Sequence, residues 1–332
     1  MRALVYTGAF QIDLQHVPDP QPLPHEVLVR IEAVGICGSD VHGYTGTTGR
    51  RLPPLIMGHE AAGRVEKTSN GFEAGEEVCF DSTIGCTKCS ECASGKVNRC
   101  SERTVFGVST PRFRRDGAMA EFLCVPAHVL RRVPEGLPLN IAAMFEPLSV
   151  GLHAVRRGAR AQNARVLIIG AGMIGLSILL SVRLQEPSEI IVIEPHENRK
   201  DMARQIGADC VLDPENSTQT IDADLTFEAV GASSTIAQAI HHTIQGGRIV
   251  LVGNTSQHPP VDVQRIVAKE LTLTGTYANA GEYDEIINLV SRKNLDPSPL
   301  ISAILPLGDG PEAFDRLHRQ VEPEWIKVLL HT

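Results

Sequence analysis

Gly170-Ala171-Gly172-Met173-Ile174-Gly175 follows directly on the apolar run Arg165–Ile169 and opens the helical pattern Ile174–Leu184. A glycine-rich turn alone is common. A strand before it, a helix after it and an acidic residue closing the next strand together specify a dinucleotide-binding βαβ unit. That residue is Glu194, 19 positions past Gly175, close to the spacing of about 20 such units use. Gly170 permits the tight turn, Gly172 lets backbone approach the pyrophosphate, and Gly175 lets helix and strand pack closely. At Met173 and Ile174 the helix N-terminus offers unpaired N–H groups to phosphate charge. Glu194 suits the adenosine ribose hydroxyls and repels a 2′-phosphate, which favours NAD; a surface carboxylate ending a strand is the plainer alternative. His196, Arg199 and Lys200 keep NADP open. Arg199 is counted with the cofactor set, although Arg199 and Lys200 also suit the solvated face of the following helix.

Around this turn, strand-like runs (Arg165–Ile169, Glu189–Ile193, Asp224–Ala229, Arg248–Val252, Leu271–Thr276) alternate with helical ones (Ile174–Leu184, Arg199–Ile206, Ile236–Ile244, Val263–Lys269). That alternation predicts a doubly wound parallel sheet of the Rossmann type. The first third differs. Short β-like runs such as Glu26–Ala33, Ala61–Glu66 and Phe122–Val125 are broken by prolines and glycines, the mark of a mostly antiparallel β domain. The residues after Tyr277, with helical runs at Tyr283–Val290 and Gly310–Gln320 and a strand at Ile326–Leu330, are too few for a domain of their own. The expected division is 1–147 with 278–332, and 148–277, an α/β chain of 332 residues overall.

Composition excludes several partners. Net charge is 31 − 39 = −8, so no global field attracts nucleic acid or an anionic membrane. No run reaches 18 apolar residues, as a spanning helix needs, and the first residues read as a strand rather than an export signal. The expectation is a cytoplasmic protein acting on a small molecule.

Seven of the eight cysteines fall in the first 124 residues, which favours metal or catalytic use over a disulfide framework. Cys86-x-x-Cys89-x-x-Cys92-x₇-Cys100 is the most specific signal. Four thiolates on one short lobe close a tetrahedron around Zn²⁺ and leave no open position, so this zinc is structural. A redox dithiol leaves two cysteines unexplained, and iron–sulfur ligation has no second electron-transfer feature beside it. Cys79, Cys124 and Cys210 read as strand residues.

A second set is scattered: Cys37 in Gly35-Ile36-Cys37-Gly38-Ser39-Asp40, His59 and Glu60 in Gly58-His59-Glu60, and Glu146 in Phe145-Glu146-Pro147-Leu148. Spacing alone does not join them. The order and wording of these motifs, with the four-cysteine lobe, the glycine turn and the late Gly246-Gly247-Arg248-Ile249-Val250 run, closely resemble the zinc-dependent medium-chain alcohol dehydrogenase superfamily over essentially the whole chain. The resemblance implies a GroES-like β catalytic domain beside the Rossmann domain. It implies that Cys37 and His59 ligate a catalytic zinc in the cleft between the domains. Simple alcohol dehydrogenases of the family have a cysteine where this chain has Glu146. That aligns it with the polyol (sorbitol), threonine and sugar-phosphate dehydrogenase branch, in which Glu60 or Glu146 completes the metal shell. Asp40 matches the residue that orients the zinc-bound histidine, Ser39 the hydroxyl of the proton relay, and His42 its solvent end.

The chemistry so implied is reversible oxidation of a secondary alcohol, with zinc polarising the hydroxyl and hydride passing to NAD. Arg50 and Arg51, with Arg112, Arg114 and Arg115, lie in segments that the resemblance brings toward the substrate. They are candidates for a phosphate or carboxylate or else solvated loop charges. A neutral polyol leads, a phosphorylated or acidic polyol follows, and a 3-hydroxy amino acid such as threonine comes third. A non-catalytic NAD-binding redox sensor is the alternative of another class, and the full set of ligands and relay residues argues against it. The resemblance also implies a homodimer or, more often, a homotetramer, with Leu271–Thr276 as a candidate pairing strand.

Overall fold

Apolar residues crowd the strand Glu26–Gly35, where Val27, Val29, Ile31 and Val34 are all buried, and the first sheet is built around it. The computed structural model describes residues 1–215, 220–321 and 324–332. In it, Glu26–Gly35 pairs antiparallel with Glu60–Val65, Phe122–Pro126 and Lys327–His331. Glu77–Phe80 and Leu130–Arg132 extend the sheet on one side. On the other, Ile301–Pro306 pairs parallel with Lys327–His331. Leu4, Tyr6, Leu55, Phe80, Phe106, Phe314 and Leu330 join the same core. Full burial of each aliphatic or phenylalanine side chain contributes about 1.5–3 kcal/mol.

The chain divides into two units, Met1–Glu146 with Tyr283–Thr332, and Pro147–Glu282. The helix Phe145–Arg157 begins three residues before the helical pattern read at Leu148, which puts Glu146 in its first turn. Pro147 is tolerated there because a first-turn N–H has no intrahelical partner to lose.

In the second unit six parallel strands run in the order Cys210–Leu212, Glu189–Ile193, Arg165–Ile169, Ala223–Glu228, Thr243–Leu251, Thr272–Gly275. The order reverses beside Arg165–Ile169, and a doubly wound sheet opens a ligand crevice at such a point. Leu167, Ile169, Ile191, Ile193 and Ile249 fill one core of this unit. The helix after Glu194 runs Glu197–Gln205. On it Lys200 is 4% exposed and bonds Glu197 at 2.8 Å and Asp213 at 2.9 Å. The solvated face expected there is corrected for this residue, because two carboxylates fold over the ammonium. Among the described residues no helix is long and apolar enough to cross a membrane.

Candidate metal centre and dinucleotide site

Cys37 stands just past the strand Glu26–Gly35 and caps the helix Gly38–Tyr44. His59 follows Gly58, whose φ of +96° turns the chain in a way side-chain-bearing residues rarely adopt. The backbone of Met57 and Gly58 is braced by bonds from Met119 N–H and Ala118 N–H. Glu60 then starts the next strand directly opposite Gly35. By this construction Cys37 Sγ, a His59 ring nitrogen and a Glu60 carboxylate oxygen lie within 4.8 Å of one another. Glu146 is buried nearby, its Oε1 accepting from Ser82 Oγ at 2.9 Å, but it is not within that set.

Charge at this centre is lopsided. Asp40, wholly buried, accepts from Cys37 N–H at 3.4 Å and places Oδ2 3.6 Å from His59 Nδ1. Burial alone would lower the His59 pKa, but Asp40, Cys37 and Glu146 outweigh it and hold the ring at about 10. Burial pushes the Glu146 carboxyl up to about 7, with Glu60 adding to the shift and His59 opposing it. The only buried cations set against these groups, among the described residues, are Arg51 on Asp40 and Lys327 on Glu60. Glu60 Oε1 and His59 Nδ1 are buried without a hydrogen-bond partner. Three donor atoms converging amid buried carboxylates, with Glu60 Oε1 left unused, fit a divalent cation.

The second ligand set also closes. Cys86, Cys89, Cys92 and Cys100 place all four sulfurs within 4.8 Å of one another. Backbone N–H groups of Cys86, Cys89 and Cys92 each point at a neighbouring sulfur at 3.4 Å. The N–H groups of Lys88 and Cys89 pull the Cys86 thiol down to about 6, while burial pushes Cys92 up to about 12. Four thiolates so close need a cation to be charged together, and zinc meets that need with no position left open.

In the second unit the glycine turn performs three separate tasks. Gly170 has φ +95°. A Cβ on Gly175 would lie 1.8 Å from the Gly170 carbonyl oxygen, whereas one on Gly172 would meet nothing within 4 Å. Open space at Gly172, at the N-terminus of the helix Met173–Arg183, is the cradle a pyrophosphate requires. Ile174 lies in the first turn of that helix. Glu194, 3% exposed, accepts from Ala171 N–H at 2.7 Å and His196 N–H at 3.1 Å, so it also braces the turn. Arg199 is half-buried, with Nε lacking a partner.

The relay and arginine candidates divide. Ser39 and His42 are both exposed on the helix Gly38–Tyr44. Arg51, expected at the substrate, is 6% exposed and bonds Asp40 and Ser39. Arg115 pairs with Glu26 at 2.9 Å and covers the Phe106 ring, and Arg114 pairs with Asp116 at 3.2 Å. The substrate reading is thus corrected for Arg51 and Arg115, whose charges are spent on partners inside the fold. Arg50 and Arg112 are exposed, with no acidic partner among the described residues. Lys327 and Ser82 escaped the sequence reading. No local pattern marks a lysine in a C-terminal strand as the partner of a glutamate 267 positions earlier.

Fold and ligand sets together are those of a zinc-binding dehydrogenase. Two family descriptions match the chain: "Alcohol dehydrogenase GroES-like domain" over residues 23–135 and "Zinc-binding dehydrogenase" over residues 174–292. Human sorbitol dehydrogenase is 31% identical over 345 residues, covering 99% of this chain and 95% of that protein. L-idonate 5-dehydrogenase of Vitis vinifera is 31% identical over 298 residues, covering 84% and 80%. The crystal structure of L-idonate 5-dehydrogenase from Escherichia coli superimposes with a TM-score of 0.92 at 26% identity, covering 100% and 98%. The chain belongs to the zinc-type alcohol dehydrogenases of the medium-chain family. It is an alcohol oxidoreductase.

Proposed function

We propose that the protein oxidises a secondary hydroxyl of a neutral polyol or sugar alcohol to the ketone, using NAD and a zinc ion held by Cys37, His59 and a carboxylate. The observation that carries this reading is the approach of Cys37, His59 and Glu60 donor atoms to within 4.8 Å. When bound, zinc supplies Lewis acidity toward the substrate oxygen and the nicotinamide accepts the hydride. The chain's own residues orient these groups and move the proton. Asp40 fixes the His59 ring from behind. Ser39 takes the hydroxyl proton and His42, three residues on along the same helical face, passes it to water. Glu194 holds the adenosine ribose and, being anionic, disfavours a 2′-phosphate. Relatives that act on sorbitol and idonate support a polyol substrate.

A second reading rests on Arg50 and Arg112. Two exposed guanidinium groups without acidic partners suit a polyol that carries a phosphate or carboxylate. NADH formation by zinc-loaded protein on sorbitol and galactitol, beside their monophosphates and idonate, separates the two. A higher kcat/KM on the neutral polyols supports the first reading, and a large preference for the anionic ones installs the second. No turnover on any secondary alcohol refutes both.

The same reading includes a cytoplasmic location and a homo-oligomer paired through Thr272–Gly275, the edge strand of the parallel sheet. Val263 and Val267, one helical turn apart, are 63% and 70% exposed beside it. Val267→Asp is expected to shift the particle toward monomer in size-exclusion chromatography with light scattering; an unchanged mass counts against this surface.

A further inference from the structure

Arg51 is, with Lys327, one of two cations buried in the first unit among the described residues. Its side chain is 5% exposed, and long cations are rarely buried without a strong reason. The fold makes room for it. Gly43 lacks a Cβ where one would come within 2.3 Å of Arg51 Cγ, so the aliphatic stem lies flat on the helix Gly38–Tyr44. The residue is fixed at its backbone as well, bridged to Ser109. Its guanidinium then reaches the first turn of that helix. One terminal nitrogen, Nη2, donates to Asp40 Oδ1 at 2.8 Å and to Ser39 Oγ at 3.3 Å, while Nη1 donates to the Arg50 carbonyl at 3.1 Å.

These contacts put Arg51 one bond behind two groups of the candidate centre. Asp40 turns its other oxygen, Oδ2, to Cys37 N–H and to His59 Nδ1. The carboxylate can face the imidazole only if its plane is held, and the Arg51 contact on Oδ1 holds it. On the other arm, a donor aimed at Ser39 Oγ occupies one lone pair. That restricts the hydroxyl rotor and directs its hydrogen away from the guanidinium. We propose that Arg51 is a positioning residue: it sets the His59 ring through Asp40 and the Ser39 hydroxyl directly. The inference rests on the proposed metal centre but not on the identity of the alcohol.

The guanidinium seats Nη2, because Nη1 is tied to the Arg50 carbonyl while Nη2 makes both contacts, whereas an ammonium is a single point charge on a flexible stem. Arg51→Lys keeps a buried charge but has no second nitrogen for the Arg50 carbonyl, so its ammonium is not held in place between Asp40 and Ser39. Arg51→Met removes both contacts. Outer-shell partners of metal ligands typically contribute 10–100-fold in affinity or activity, and a loss of about that size in kcat is expected for Arg51→Met, with a smaller loss for Arg51→Lys and an unchanged Kd for NADH. In protein carrying cobalt at the Cys37 set and zinc in the four-cysteine lobe, the visible ligand-field bands should shift in both variants. Arg51→Met in a Ser39→Ala background should cost less than in the native chain, since one of its two targets is gone.

Unchanged cobalt bands together with kcat within about twofold of the native value would overturn the inference. So would a rise confined to the KM of the alcohol, which would return Arg51 to substrate contact. If Arg51→Met does not fold, Arg51→Lys decides through the same spectrum. Should the native protein turn over no alcohol, the substrate reading fails while the cobalt spectrum still judges Arg51. Should it bind no metal at Cys37, both fall.

Discussion

Lys327 Nζ lies 2.5 Å from Glu60 Oε2, and both side chains are sealed from solvent, at 2% and 1% exposure. Burial works against the ammonium, but Glu60, Cys37 and Glu146 outweigh it and keep the lysine charged. The pair joins the C-terminal strand Lys327–His331 to the strand that begins at Glu60. Removing one partner of such a pair leaves an uncompensated buried charge, so Lys327→Met should cost about 3–5 kcal/mol in urea unfolding. The double variant Lys327→Met/Glu60→Gln should recover part of it. A loss below about 1 kcal/mol, the worth of an exposed pair, would contradict this account.

The two ligand sets should separate on analysis of bound metal. Native protein is expected to carry two zinc ions per chain. Cys100→Ala should release one and lower Tm sharply while Cys37 retains its own. Cys37→Ala should release the other, abolish turnover and leave NADH binding intact. Two ions retained in either variant would refute the assignment.

The glycine turn offers a contrast between neighbours. Gly175→Ala forces a methyl group to 1.8 Å from the Gly170 carbonyl oxygen and should unfold or strongly destabilise the second unit. Gly172→Ala meets no protein atom; it should keep its Tm and lose NADH affinity. Equal Tm losses would show that Gly172 is a packing residue and not a cradle.

Glu194→Ala removes an anion from the proposed ribose site and an acceptor from Ala171 N–H. The preference for NADH over NADPH should fall at least about tenfold, or about 1.4 kcal/mol, in fluorescence titrations. An unchanged ratio would confine Glu194 to bracing the turn.

Acid stability follows from Glu282. Burial raises its pKa, but His153, the Ala280 N–H and Arg156 outweigh that and hold the carboxyl at about 2. A depressed carboxylate contributes stability that is complete above the unfolded-state value of about 4.3 and is lost as pH falls toward 2. The native chain should therefore lose stability faster than Glu282→Gln across that window, measured by urea midpoints at a series of pH values. Parallel pH curves would remove Glu282 from the balance.

Local chemistry explains what could be read before the fold was seen. Glu189–Ile193 is a strand with the same bounds in sequence and structure, because Ile190–Ile193 is an unbroken apolar run and a buried parallel strand needs no alternation. The four-cysteine lobe and the glycine turn are likewise short-range: their spacing is their geometry. Ile301–Pro306 carries no such signal, since it is half-buried at alternate residues and its partner comes from Lys327–His331. The burial of Arg51, Lys200 and Lys327 is invisible in the sequence for one reason. A charged side chain defaults to solvent, and only the folded chain shows Asp40, Asp213 or Glu60 waiting inside. In the candidate site, the ligand types were legible and their counter-charges were not.

The strand Lys327–His331 sits between Glu26–Gly35 and Ile301–Pro306, so order of manufacture matters. On the ribosome the second unit, Pro147–Glu282, is contiguous and is free to fold as soon as it emerges. The first unit begins earlier yet finishes later. A nascent chain shorter than 327 residues holds Glu60 without its ammonium and leaves the inner edge of Glu26–Gly35 bare near Gly35. During that interval the half-built sheet is a target for chaperones and for stray strand pairing.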